Sequence, residues 1–326
     1  MIDELSALQR IEEQFHSESH GVELGIGDDA AAVRISNGKL LLATTDCQVE
    51  GVHFMKSLIS PGALARKSVA VSVSDIGAMG GEPKYILASV GFSADEDEDF
   101  LTEMISGFRT AQKEFGVELI GGNLSASDKL FLDITALGEV EPEYMVKRTG
   151  AKPGDLLYVS GTLGDSALGL KLLQNGANSE ESKYLIDRHL SPHPRLRLGR
   201  ELALGGAVTS MIDVSDGLML DLERITVQKG LGASIYAEKL PVSAEYKSCV
   251  KDYSDGVYEL ALSGGEDYEL LFTTPEENSG RVYEIASLTG AAITQIGKVN
   301  TGAAIEVLDS EGEEINLNRR GFVHFG

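Results

Sequence analysis

Two adjacent carboxylates inside a glycine turn, Gly25-Ile26-Gly27-Asp28-Asp29-Ala30, constrain this chain more than any other stretch. Holding two like charges side by side between apolar runs is costly unless a cation neutralises them, so the turn reads as part of a metal site. The residues after the turn fix the local fold. Ala31-Ala32-Val33-Arg34-Ile35 has strand character, Asn37-Gly38 is a hairpin signal, and Leu40 to Thr44 returns as the second strand. The hairpin brings its two acidic ends together, with Asp28 and Asp29 where it begins and Asp46, in Thr44-Thr45-Asp46, where it finishes.

The glycines invite other readings, which fail. Gly25-x-Gly27-x-x-Ala30 matches the permissive dinucleotide fingerprint, but a strand and an Asn-Gly turn come next where a helix is required, and two carboxylates would face the pyrophosphate. No Gly-x-x-x-x-Gly-Lys-Ser/Thr run occurs, so a P-loop is absent.

Length allows two domains of ordinary size, at 326 residues. Residues 3 to 15 carry the spacing of an amphipathic helix, and Ser60-Pro61 opens a second helix that runs to about Met79, unusually rich in Ala and Ser, with Asp75 late on it. A strand is expected at Tyr85 to Phe92 and a surface helix at Asp95 to Phe115. Leu119-Ile120 reads as a strand running into a Gly121-Gly122-Asn123 loop, and Leu130 to Val140 as another strand. The boundary falls in the basic, turn-rich segment between Pro142 and Pro153, dividing the chain at 1–142 and 143–326. Beyond it strands at Leu156 to Ser160, Met211 to Val214 and Glu269 to Thr273 alternate with helices, and an α+β fold in each half accounts for the pattern better than one doubly wound sheet.

With 28 Lys and Arg against 51 Asp and Glu, the formal net charge is −23, which opposes nucleic acid and anionic membrane as partners. No apolar run reaches the roughly 18 residues of a membrane span. The start of the chain is acidic and lacks the pattern of a secretory signal, and the two cysteines, Cys47 and Cys249, have no partner motif; a cytoplasmic location is expected.

Two further acidic turns stand out. Asp213-Val214-Ser215-Asp216-Gly217-Leu218 comes after a buried strand and opens a helix; as a calcium loop it fails, since its sixth and twelfth positions are Leu218 and Arg224, and alone it is equally an N-cap. Ser263-Gly264-Gly265-Glu266-Asp267-Tyr268-Glu269-Leu270 puts acids around a glycine turn, which alone is an ordinary solvated turn. Arg148 and His53 are likewise unremarkable singly.

Together, in order and spacing, the motifs resemble thiamine-monophosphate kinases over nearly the whole chain: Gly-Ile-Gly-Asp-Asp-Ala, Thr-Thr-Asp with Gly-Val-His-Phe, Ser-Asp-Ile-Gly-Ala-Met-Gly, Ile-Gly-Gly, Arg-Thr-Gly-Ala-Lys-Pro-Gly-Asp, Asp-Val-Ser-Asp-Gly-Leu, Gly-Gly-Glu-Asp-Tyr-Glu-Leu and the closing Gly321-Phe322-Val323-His324-Phe325. The resemblance implies the α+β, two-domain aminoimidazole ribonucleotide synthetase-like fold. Its N-terminal domain would form a β-barrel shared in a homodimer, and a C-terminal α/β domain would complete the site. It also implies ATP as co-substrate, thiamine monophosphate as acceptor and several magnesium ions in place of a P-loop.

Carried over by position, the magnesium ligands are Asp29, Thr44, Thr45, Asp46, Asp75, Asp213 and Asp216, with Asp28 beside them. Arg148, Ser215 and Gly121-Gly122 match ATP contacts, Arg148 as a direct hydrogen-bond donor to phosphate; His53, Glu266 and Phe322 match contacts to the thiamine phosphate. Asp46, Asp75 and Arg148 are the expected catalytic set. Asn123 departs from the Asp usual there, keeping an oxygen ligand without the charge. Sister enzymes of the fold with a reactive cysteine near either terminus fit less well, and a non-catalytic nucleotide or metal sensor is the reading from another class.

Overall fold

A computed structural model of the chain describes residues 22–24, 28, 30–35, 38–93, 96–254, 256–317 and 320–323. The helix expected at 3–15, most of the first glycine turn including Asp29, and the closing His324-Phe325 lie outside the described residues.

The first sheet runs β1 (Val22–Leu24), β2 (Ala31–Arg34), β3 (Leu40–Val49), β6 (Phe131–Val140), β4 (Glu82–Phe92) and β5 (Glu118–Ala126) in spatial order. β2 and β3 pair antiparallel, Arg34 opposite Leu40, as the hairpin signal predicts. β3 then pairs along its length with β6, and alternate residues such as Leu40, Leu42, Leu132 and Ile134 turn inward under the helices Pro61–Ala78 and Glu98–Phe115. The first of these helices starts as its sequence dictates. Ser60 accepts a hydrogen bond from the Ala63 N–H at 3.2 Å, and Pro61, which has no N–H to lose, occupies the first turn. Its small residues then permit close packing: a Cβ on Gly107 of the second helix would stand 2.1 Å from the Gly62 carbonyl.

β5 differs from the expectation. The strand continues through Gly121-Gly122-Asn123, because parallel pairing with β4 (Leu87 with Gly121, Ser89 with Asn123) supplies the backbone partners that a loop would lack.

The second sheet runs β12 (Ile305–Leu308), β9 (Gly232–Tyr236), β11 (Ile293–Asn300), β7 (Leu156–Ser160), β10 (Leu270–Thr274) and β8 (Ser210–Asp213). Its central strands are buried on both faces: Leu157, Val159, Ile212 and Leu271 enter one core, and Leu156, Tyr158, Met211 and Phe272 the other. That is why they read as unbroken apolar runs. Among the described strands of this sheet, pairing is antiparallel except between β9 and β12, so the strand and helix alternation yields an α+β layer and not the parallel sheet of an α/β domain. Neither sheet, within the described residues, closes into a barrel.

The helix Leu196–Leu204 joins the halves. It packs into the second core through Leu198 and Leu202, while Gly199 lies against the Pro61–Ala78 helix so closely that a Cβ there would stand 2.1 Å from the Gly77 carbonyl.

Candidate active site

A cavity of about 1110 Å³ lies where the two halves meet, lined from the first by Thr44, Thr45, Asp46, His53 and Asp75 and from the second by Asp213, Ser215, Asp216 and Glu266, with Phe322 at its edge. Two adjacent residues of one helix reach both sides of it. Ser74 donates its hydroxyl proton to Asp213 at the end of β8, and Asp75 accepts from the Thr44 hydroxyl at 2.6 Å. On β3 the two-residue alternation sends Thr45 to the opposite face from Thr44 and Asp46, where its hydroxyl donates to Asp133 at 2.7 Å.

Two of the carboxylates here are held high by burial first and by one another second. Burial pushes Asp46 up to about 6, with a hydrogen bond from Ser72 opposing it and the charges of Asp133 and Asp216 adding to it. Burial likewise pushes Asp213 up to about 6, against the Ser74 hydrogen bond and with help from Asp46. Asp46 Oδ2 is buried and accepts no hydrogen bond among the described residues. An acceptor left dry beside further acids is what a hard cation would satisfy, and an all-oxygen donor set suits magnesium. The residues therefore fit such an ion, although among those described no three acidic, His or Cys side chains already form a tight cluster.

The turn after β8 is held by a residue outside the expected set. Asp221, fully buried, accepts through one oxygen from the backbone N–H groups of Ser215, Asp216 and Gly217 at 3.0, 3.1 and 3.2 Å, and through the other from Arg224 at 2.6 Å. Arg224 also donates to Asp216. The neighbouring acidic turn bends through two non-glycine residues with positive φ, Glu266 at 66° and Tyr268 at 50°, fixed by Glu266 N–H to Ser215 C=O at 2.7 Å and Tyr268 N–H to Val214 C=O at 2.9 Å. Such backbone is uncommon outside glycine and concentrates at functional sites. Phe322 is tied to the same place, its N–H donating to Asp216 C=O at 3.0 Å. The His53 ring is oriented by the Val49 N–H, which donates to Nδ1 at 3.0 Å and leaves Nε2 to carry the proton of the neutral ring.

Asp28, Gly121, Gly122, Asn123 and Arg148 do not border this cavity. Asn123 sits on the exposed β5, and Arg148 begins a single 3-10 turn, Arg148–Gly150, between the halves. Lys67, Asp133, His189, Asp221 and Arg224 are among the polar residues around the site that sequence reasoning missed. The one available signal was the pair Arg66-Lys67 standing in an otherwise small and apolar helix.

The chain matches the family described as AIR synthase related protein, N-terminal domain over residues 27–140 and the corresponding C-terminal domain over 152–310. It is 37% identical over 325 residues to the thiamine-monophosphate kinase of Escherichia coli K12, covering 99% of this chain and 98% of that one. It is also 37% identical over 306 residues to the thiamine-monophosphate kinase of Aquifex aeolicus, covering 92% of each. The solved structure of AaThiL complexed with AMPPCP and TMP superposes with a TM-score of 0.87 at 35% identity, covering 99% of this chain and 97% of that one. The chain belongs to the thiamine-monophosphate kinase family of AIR synthase related proteins.

Proposed function

We propose that this chain transfers the γ-phosphoryl group of ATP to the phosphate of thiamine monophosphate, giving thiamine diphosphate and ADP. Membership of the family and the AaThiL complex with an ATP analogue and TMP support that reaction. The observation that carries it in this chain is the inter-half cavity, lined by Asp46, Asp75, Asp213 and Asp216, in which Asp46 Oδ2 has no partner among the described residues.

The chemistry asks little of the protein beyond placement. A phosphate monoester has its second pKa near about 6, so the attacking oxygen is already largely deprotonated at neutral pH and no general base is required. What opposes transfer is repulsion between two polyanions and misalignment of attacker with leaving group. When bound, magnesium supplies neutralisation of the phosphate charge. Thr44, Asp46, Asp75, Asp213 and Asp216 would hold it, with Asp28, Asp29, Thr45 and Asn123 as the remaining proposed ligands. Arg148, Gly121-Gly122 and Ser215 contact ATP in this reading, while Phe322 packs against the acceptor's ring system and His53 contacts its phosphate side. Ser74 and the Thr44 hydroxyl orient the carboxylates beneath them.

The working unit is a homodimer in the cytoplasm, built from units at 1–142 and 143–326, with the first sheet completed into a barrel by that of a second copy. The edge strand β5, exposed at every residue but Leu119, supports this, since an open edge with Ile120 52% exposed invites pairing.

The test is formation of thiamine diphosphate from thiamine monophosphate and ATP by the purified chain, with Asp46→Asn alongside. Turnover by the parent and a loss of at least about a hundredfold in the variant are expected. A variant within a few-fold of the parent at saturating magnesium overturns the role of Asp46.

A further inference from the structure

Lys67 is an anomaly in the Pro61–Ala78 helix. Its side chain is 1% exposed, and a buried ammonium is costly without a partner. Its Nζ stands 3.2 Å from each Glu266 oxygen, across the junction between the halves and 199 residues away in sequence. A second buried group meets the same carboxylate: His189, on the helix Glu180–Leu190, places Nδ1 3.2 Å from Glu266 Oε2 and 3.1 Å from the Ser166 hydroxyl. Backbone and side chain of Glu266 are thus fixed from three places at once: the two helices and, through its N–H, the Ser215 carbonyl.

The ends of this arrangement differ. Lys67 lies outside the cavity lining, behind the wall, whereas Glu266 keeps 24% of its side chain exposed and faces the cavity with His53 and Phe322. A pair kept only for packing would bury both partners, and buried ion pairs are weak evidence for stability in any case. Here one end is dry and the other faces the cavity.

We infer that Lys67 and His189 are positioning residues for the acceptor substrate: they hold the Glu266 carboxylate at the cavity wall as a fixed anionic acceptor for the acceptor's cationic, amino-bearing ring system. The inference rests on reading Glu266 as a substrate contact. Thiamine monophosphate carries a quaternary thiazolium nitrogen and an aminopyrimidine, so an ionised carboxylate answers both its charge and its N–H donors. The electrostatics agree with the geometry. Burial disfavours the Glu266 anion, but the charge and hydrogen bond of Lys67, first among the groups that oppose burial, hold the carboxyl below the usual range; Tyr268 also lies nearby. Burial, with the Lys67 charge adding to it, pushes the His189 ring down to about 4, so it serves as a neutral hydrogen-bonding group and leaves the anion unneutralised on its side.

A double-mutant cycle on the full chain tests this, read by calorimetric binding of thiamine monophosphate and by its KM. Lys67→Met and Glu266→Gln are each expected to weaken binding about tenfold or more. The KM for ATP should stay within about threefold of the parent, because the effect is local to the acceptor. The double variant should be no weaker than Glu266→Gln, since the lysine acts through that carboxylate. Full additivity, or parental affinity in Lys67→Met, overturns the inference while leaving Glu266 as a contact. Parental affinity in Glu266→Gln removes the reading beneath it and the inference with it. If Lys67→Met does not fold, His189 provides an independent arm. His189→Leu should weaken the acceptor and His189→Asn, whose amide occupies the place of Nδ1–H, should restore it; equal losses in both would overturn the inference.

Discussion

A histidine that meets a lysine and a glutamate in a dry setting has a measurable signature. Unfolded, His189 takes its proton near pH 6.5; folded, it does so only near pH 4. Between those values the unfolded chain holds more protons, so the contribution of His189 to stability is complete above pH 6.5 and is lost as the pH falls through the folded value. At about 1.4 kcal/mol per unit the full effect is about 3 kcal/mol. Asp46 and Asp213, raised by burial, act in the opposite sense over part of the same range, so the informative quantity is a difference. Urea titrations at pH 7 and pH 4 are expected to show the parent losing up to about 3 kcal/mol more than His189→Asn; matching losses would contradict the neutral, buried histidine.

Helices set the spacing of everything near the cavity, and one close contact among them is the backbone approach of Gly199 to Gly77. Gly199→Ala has to separate two packed helices, which costs about 1–3 kcal/mol. A lowered urea midpoint with unchanged slope is expected, and a parental midpoint would show that the helices yield freely. The same elements show what could be read in advance. The hairpin of β2 and β3, the Ser60-Pro61 helix start and the buried runs of β7 and β8 carry local causes, a turn residue, a cap or an apolar stretch, and local causes are visible in sequence. β11 is different: it bends between Gln295 and Gly297, where a Cβ on Gly297 would meet the Ser234 carbonyl at 2.2 Å, and its reason lies on another strand. The helix Glu180–Leu190 has a good cap in Ser179 but few apolar residues; it is fastened by Arg188 to Glu269 and by His189 to Glu266, partners far along the chain. The cavity divides the same way. Asp46, Asp75, Asp213, Asp216, Glu266 and Phe322 stand in recognisable motifs and converge, whereas Lys67, Asp133 and Asp221 matter through contacts that only folding creates.

At the scale of the whole molecule, a net charge of −23 repels second copies, so the proposed homodimer has to be held by an apolar or hydrogen-bonding surface. Tyr85, Leu87 and Ile120 on β4 and β5 are exposed in a single chain and offer one. Ile120→Glu is expected to shift sedimentation from dimer to monomer; a parental dimer would place the interface elsewhere. The pairing of Ser74 with Asp213 and of Asp75 with Thr44 has a consequence for how the chain is allowed to vary. Those two contacts are gauged from opposite directions by neighbouring residues on one rigid rod, anchored at its other end by Gly62. One residue inserted between Gly62 and Ser74 would turn both side chains by about 100° and advance them about 1.5 Å, dismantling both contacts. That helix is a ruler whose length is locked by what its two ends must reach.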